Sequence, residues 1–185
     1  MKTIYFITGN KGKYNEVKEK MKSLDVEVIQ KNFGYPEIQA DTLEDVVKYG
    51  VEHLKNKLNH PFIIEDAGLF IDELKGFPGA YSKYVFYTIG CKGILKLMED
   101  TNERSAVFRS VYAYFESDKK PELFIGECIG IIADKERGTG GFGYDPIFIP
   151  AGETRTFAEM KIEEKNMFSH RGKALDKLIE FLKRN

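Results

Sequence analysis

Apolar positions in the first third of the chain switch between two periods, and that switching predicts the elements. Residues 3–7 are apolar and β-prone and read as a strand; a polar stretch over 8–13 follows, then a helix with Tyr14, Val17, Met21 and Leu24 on one face. A second strand is expected at 26–30, then a polar loop through Tyr35-Pro36-Glu37. Asp41 or Thr42 then caps a helix whose apolar stripe is Leu43, Val46, Val47, Val51, Leu54 and Leu58. The short apolar run 62–64 reads as a buried third strand that ends where Glu65-Asp66 begins. An opening of this kind, with strands and helices in alternation, is that of an α/β fold.

The middle of the chain changes character. Gly76-Phe77-Pro78-Gly79 is a turn cluster, and a short helix is expected around 94–98. Two long β-prone runs, 106–115 and 123–133, are joined through a polar stretch and should pair antiparallel. The glycine-rich segment 138–143 leads through Tyr144-Asp145-Pro146 into an apolar run at 147–149. The last helix, from Ser169 or soon after, buries Ala174, Leu175, Leu178, Ile179 and Leu182. The pattern therefore predicts a mixed β-sheet with flanking helices and a second lobe built from the middle segment, all in one domain over 1–185, with a cleft between the lobes.

Composition narrows the setting. At 185 residues, 42% hydrophobic and 31% charged, the chain suits one sizeable core and neither a disordered tail nor a membrane protein. A net charge of −1 offers no global attraction for nucleic acid or acidic membranes, so neither is an expected partner. The apolar stretch at 4–7 is too short for a signal-peptide core. Cys91 and Cys128 are the chain's two cysteines, without metal-ligand spacing, which fits a reducing, cytoplasmic location.

Four segments carry candidate chemistry. Residues 8–13, Thr8-Gly9-Asn10-Lys11-Gly12-Lys13, link a strand to a helix and offer backbone N–H groups, a hydroxyl, an amide and ammonium donors to a polyphosphate, although the Walker A spacing is absent. Glu65-Asp66 places two acids on opposite faces of an extended segment, so one can serve a site while the other meets a structural partner; Asp66 is the better candidate for metal or base duty. Glu37 is a plausible second oxygen ligand, because magnesium is commonly held by one or two carboxylates plus phosphate oxygens. Residues 138–143 match G-x-G-x-x-G formally, but Pro146 and a β-prone run follow where a helix should, so a loop presenting Phe142 and Tyr144 fits better. Ser169-His170-Arg171 sets two basic residues at a helix N-terminus, against the dipole, where an anion or an electron-rich ring edge would compensate. His53 and His60 have no comparable setting, and the cysteines read as small core residues.

Taken in order, the chain resembles the inosine triphosphate pyrophosphatase family. The resemblance rests on Thr8-Gly9-Asn10 with Lys13, Tyr35-Pro36-Glu37-Ile38-Gln39, Glu65-Asp66 and Gly76-Phe77-Pro78-Gly79-Ala80-Tyr81-Ser82-Lys83. It continues through Phe142-Gly143-Tyr144-Asp145-Pro146-Ile147-Phe148, Thr156-Phe157-Ala158-Glu159-Met160 and Lys165 to Ser169-His170-Arg171. It implies an elongated α/β fold, usually a homodimer, that hydrolyses damaged purine nucleoside triphosphates (ITP, dITP, XTP) to the monophosphate and pyrophosphate with Mg2+. By position, residues 8–13 would hold phosphates, with Lys83 and Lys165 adding charge. Glu37 and Asp66 would bind magnesium, and Asp66 would orient or deprotonate the attacking water. Phe142 would stack on the base in the segment Phe142-Gly143-Tyr144, and Asp145, His170 and Arg171 would line or read it. Family members often carry serine or threonine after the acid pair; Ala67 here keeps only a backbone N–H contact. Two other functions remain open at this point: a nucleotide-binding module that has lost turnover, and a pyrophosphatase for a different base.

Overall fold

The opening run forms β1 (Lys2–Ile7), and the polar loop after it ends at Asn10, whose side chain accepts the Lys13 N–H at 3.1 Å and caps α1 (Lys11–Met21). β2 (Val26–Lys31) lies parallel to β1 over its whole length. Thr42 caps α2 (Leu43–Leu54) by accepting the Asp45 N–H at 3.2 Å, and the stripe Leu43, Val47, Val51 and Leu54 is buried as the helical period predicts. The computed structural model describes every residue except Met1, Ser23, Glu37, Asp118 and Asn185.

The third strand is where the sequence reading falls short. β3 runs from Phe62 to Ile71, so Glu65 and Asp66 lie inside it and not beyond its end. The cause is pairing: β5 (Ser105–Phe115) runs antiparallel to it from Phe62↔Phe115 to Ile71↔Ala106, and this ladder satisfies the backbone of the polar stretch. A residue added at Gly68 would put its Cβ 2.3 Å from the carbonyl oxygen of Gly79, so only glycine lets the short β4 (Pro78–Gly79) close on β3 there. β6 (Glu122–Ile132) pairs with β5 as expected, and β7 (Phe148–Pro150) pairs with the end of β6. The single sheet has the order β2-β1-β3-β5-β6-β7, with β4 joined to β3.

Helices cover the sheet unevenly. α1 and the last helix, α6 (His170–Arg184), pack on one face around Ile4, Phe6, Tyr112 and Leu175, while α2 packs on the opposite face around Phe62, Ile64 and Val111. The middle segment builds the second lobe with a core of its own, centred on Leu69, Ile94, Phe108, Phe148 and Phe157. That lobe has no sheet of its own, because β3, β5 and β6 run through both lobes. Its helices are α3 (Ser82–Thr88) and α4 (Gly90–Leu97); α5 (Ile162–Phe168) then leads into α6. Neither α3 nor α5 was expected from the sequence: each has seven residues, too few for a clear helical period.

α6 sits unusually close to the sheet. At Gly126 on β6 a Cβ would lie 2.1 Å from the His170 carbonyl oxygen and 2.5 Å from the Ala174 nitrogen. The helix is also tied to the strand edge that β7 does not cover, with Lys173 Nζ donating to the Glu127 carbonyl at 2.9 Å and Lys177 Nζ to that of Ile125 at 2.6 Å. No helix among the described residues is long and apolar enough to cross a membrane.

Gly126→Ala is therefore expected to push the first turns of α6 off the sheet. Overpacking of this kind costs about 1–3 kcal/mol, which should lower Tm by several degrees in calorimetry. An unchanged melting curve would show that the helix can shift without cost.

Candidate active site

The cleft expected between the lobes is present as a cavity of about 750 Å³. One wall is the turn from β1 into α1, residues 8–13, held by the Asn10 N–H donating to Thr8 Oγ1 at 3.1 Å and by Gln30 Nε2 donating to the Thr8 carbonyl at 3.0 Å. The first N–H groups of α1 lack intrahelical acceptors, and the helix dipole adds positive potential at the same end. Gly12 has a packing role: the Phe142 ring stands only 2.4 Å from where its Cβ would be.

The strand geometry separates the two acids. Asp66 is half-buried and lines the cavity together with Ala67. Glu65 turns to the other face, where it is buried, accepts from Ser110 Oγ at 2.7 Å and from Arg171 Nε at 3.0 Å, and forms an ion pair with Lys13 Nζ at 2.6 Å. Burial would raise its pKa, but the two cations outweigh that and hold the carboxyl below its ordinary range.

The Glu65 cluster continues inward. Arg171 Nη1 lies 3.3 Å from Glu16 Oε2, Lys165 Nζ lies 2.6 Å from Glu16 Oε1, and the same ammonium lies 2.6 Å from Asp145 Oδ2. Asp145 Oδ2 also accepts the Phe142 N–H at 2.9 Å, which fixes the start of the aromatic loop. The Phe142 ring in turn faces the Arg171 guanidinium at 4.8 Å and Lys165 Nζ at 5.0 Å. Glu16 was not singled out in the sequence. No sequence signal marked it: Glu16 lies off the stripe of Tyr14, Val17, Met21 and Leu24, on the side of α1 that carries Lys13 and Lys20, and its burial shows only in the structure.

Most of the expected residues meet at this cavity: residues 8–13, Asp66, Ala67, Lys83, the segment 142–145 and Arg171. Two sit behind its wall. Lys165 is only 3% exposed and its charge is taken up by Glu16 and Asp145, so the structure corrects the expectation that it adds charge toward phosphates. His170 is fully buried and stacks flat on Phe108, with centroids 4.6 Å apart and planes 9° apart, so it does not line the cavity as expected. The reason is α6: Ser169 caps it by accepting the Gly172 N–H at 3.1 Å, and the close packing on Gly126 turns the first residue inward. Glu37 lies outside the described residues. Phe86 and Tyr87 of α3 line the cavity without having been expected.

Titration behaviour follows from these positions. Burial, reinforced by Arg171, Lys165 and Lys13, holds the His170 pKa well below its usual value, so the ring is neutral. Burial pushes the Cys91 thiol up to about 12 and the Cys128 thiol up to about 11, which makes both inert as nucleophiles. No group of three or more His, Cys, Asp or Glu side chains among the described residues forms a closed metal cage.

Comparison with known proteins came to the same place. A sequence model of the Ham1 family matches residues 4–181. The chain is 56% identical to the dITP/XTP pyrophosphatase of Pyrococcus horikoshii over 98% of its own length and 97% of the relative's. It is 52% identical to the enzyme of the same name from Thermococcus kodakarensis, over 97% of each chain. Among solved structures it is similar to a HAM1 protein from Coxiella burnetii, with a TM-score of 0.86 at 32% identity and full coverage of both chains. The Staphylococcus aureus Ham1 protein superposes with a TM-score of 0.84 at 31% identity, over 98% of each chain.

Two outcomes are expected. Glu65→Gln leaves Arg171 and Lys13 without their shared buried countercharge, and breaking such a pair costs about 3–5 kcal/mol, measurable by urea unfolding. His170 takes up a proton on unfolding but not when folded, so stability should fall as pH drops below about 6.5, with a slope approaching ~1.4 kcal/mol per pH unit. His170→Phe, which keeps the stack on Phe108, should flatten that part of the stability profile.

Proposed function

The chain belongs to the Ham1 family, and from that footing and the cavity's geometry we propose a nucleoside triphosphate pyrophosphatase. Its reaction is hydrolysis of damaged purine nucleoside triphosphates (dITP, XTP and ITP) to the monophosphate and pyrophosphate, in the cytoplasmic nucleotide pool. The observation that carries the reading is the meeting of two groups in one cavity: the N-terminus of α1 with Lys13, and the Asp66 carboxylate. Attack at phosphorus needs charge neutralisation and alignment more than a covalent nucleophile. The inert thiols and the buried, neutral His170 are consistent with a mechanism of that kind.

Each part of the site has a task in this proposal. The N–H groups at the start of α1, Lys13 and Lys83 hold the triphosphate, and Asp66 orients the water and takes its proton. The half-buried Asp66 carboxylate on the cavity wall suits a hard cation that brings phosphate oxygens with it. Asp66 and Glu37 would hold Mg2+, which when bound offsets phosphate charge. Phe142 stacks on the base. Arg171, fixed in one orientation by Glu65 and Glu16, presents donors toward a 6-oxo acceptor and away from an adenine amino group. Lys165 and His170 act through Arg171, Phe142 and Asp145. A homodimer belongs to the same proposal, supported by Ile129 and Ile131, which stay 66% and 46% exposed on β6.

A nucleotide panel with magnesium and product identification tests the reading. ITP, dITP and XTP should be cleaved far faster than ATP or GTP, with pyrophosphate and monophosphate as products and no turnover after chelation. Asp66→Asn should keep the fold and lose about 10²–10⁴ in rate. A protein that binds ITP without releasing pyrophosphate would instead be a nucleotide-binding module.

A further inference from the structure

α3 carries three exposed or half-exposed rings, and they differ in what they face. Tyr84 is 71% exposed and lies away from the cavity, whereas Tyr87 is 78% exposed and lines it. Tyr87 follows Lys83 by four residues, so both project from the same face of the helix, about 6 Å apart along its axis. Both line the cavity, as residues 8–13 do.

The Tyr87 ring is not a loose surface side chain. Phe86 meets it edge-on with centroids 5.7 Å apart, and Phe86 is itself edge-on to the buried Tyr144 at 5.3 Å. Tyr144 is anchored in turn, its hydroxyl donating to the Ser82 carbonyl at 3.1 Å. A chain of rings from the core of the second lobe thus holds a large apolar surface open at the mouth of the cavity. Such surface gains most when a flat or weakly polar ligand covers it, and the ring can do so at low entropic cost because it is already braced.

From this we infer that Tyr87 is a substrate-binding residue: its ring packs against the nucleoside part of the bound nucleotide, while Lys83 one turn earlier meets the phosphates. The inference rests on the nucleotide reading of the cavity and adds a second aromatic wall to it. The contact is made by the ring and not by the hydroxyl.

Steady-state kinetics on ITP test it, with Tyr84→Ala as the control on the same helix. Tyr87→Ala should raise KM about ten-fold, as loss of one ring–base contact does, with kcat within about two-fold and an unchanged melting curve. Tyr87→Phe and Tyr84→Ala should both stay near wild type. Inhibition by inorganic pyrophosphate, which has no nucleoside, should be the same in Tyr87→Ala and wild type. A Tyr87→Ala KM no different from that of Tyr84→Ala, or a Tyr87→Phe loss as large as that of Ala, would overturn the assignment. Calorimetric titration of IMP into wild type and Tyr87→Ala gives a readout free of turnover. If wild type binds IMP but cleaves no triphosphate, the enzymatic proposal fails, and the comparison of the two IMP affinities still decides the role of Tyr87.

Discussion

A set of three carboxylates and three cations, all buried except the partly exposed Lys13, organises the site. Glu65, Glu16 and Asp145 face Arg171, Lys165 and Lys13, and the six groups come from β3, α1, the aromatic loop, α6 and α5. Charges placed so deep cost several kcal/mol each to dehydrate unless every one is met. The set is therefore demanding: it is satisfied in one arrangement of those elements, and that arrangement fixes the cavity wall. Its contribution is to position Arg171 and the start of the 142–145 segment more than to add stability, since apolar groups in the same volume would cost less to bury.

Seen this way, the division of labour within Glu65-Asp66 has a simple origin. A strand points neighbouring side chains to opposite faces, and here one face is sealed by α1 and α6 while the other opens into the cleft. The same two-residue step gives the interior an acid that neutralises two cations and gives the cavity an acid on its wall. Had β3 stopped at Ile64, as its apolar run suggests, neither orientation would be enforced.

Elements with a clear period were legible in the sequence: β1, α1, β2, α2, the β5–β6 pair and α6 all fall close to where the hydrophobic pattern puts them. The turn over residues 8–13 was legible because Asn10 and Thr8 are capping residues in a strand-to-helix junction. What was not legible depended on partners far away in the chain. β3 continues through two acids because β5 pairs with it, and α5 forms although its seven residues are too few to show a stripe. Lys165 was expected from the family resemblance and His170 from its place at a helix N-terminus; the acids and the ring that enclose them, Glu16, Asp145 and Phe108, lie at least 20 residues away and carry no local mark. Tyr87 went unnoticed because an exposed tyrosine on a short helix has no sequence signature that separates it from Tyr84.

The close seat of α6 against Gly126 also bears on the order in which the protein becomes competent. Synthesis proceeds from the N-terminus, and domains acquire structure as the chain emerges. Glu16 and Glu65 are made well before Lys165 and Arg171. Until those cations arrive the early acids have only Lys13 beside them, and the sheet face reserved for α6 is bare. The final helix thus acts as a keystone in time as well as in space. The turn over residues 8–13 is synthesised more than 150 residues ahead of Arg171, so the cavity wall is whole only once α6 has joined the sheet.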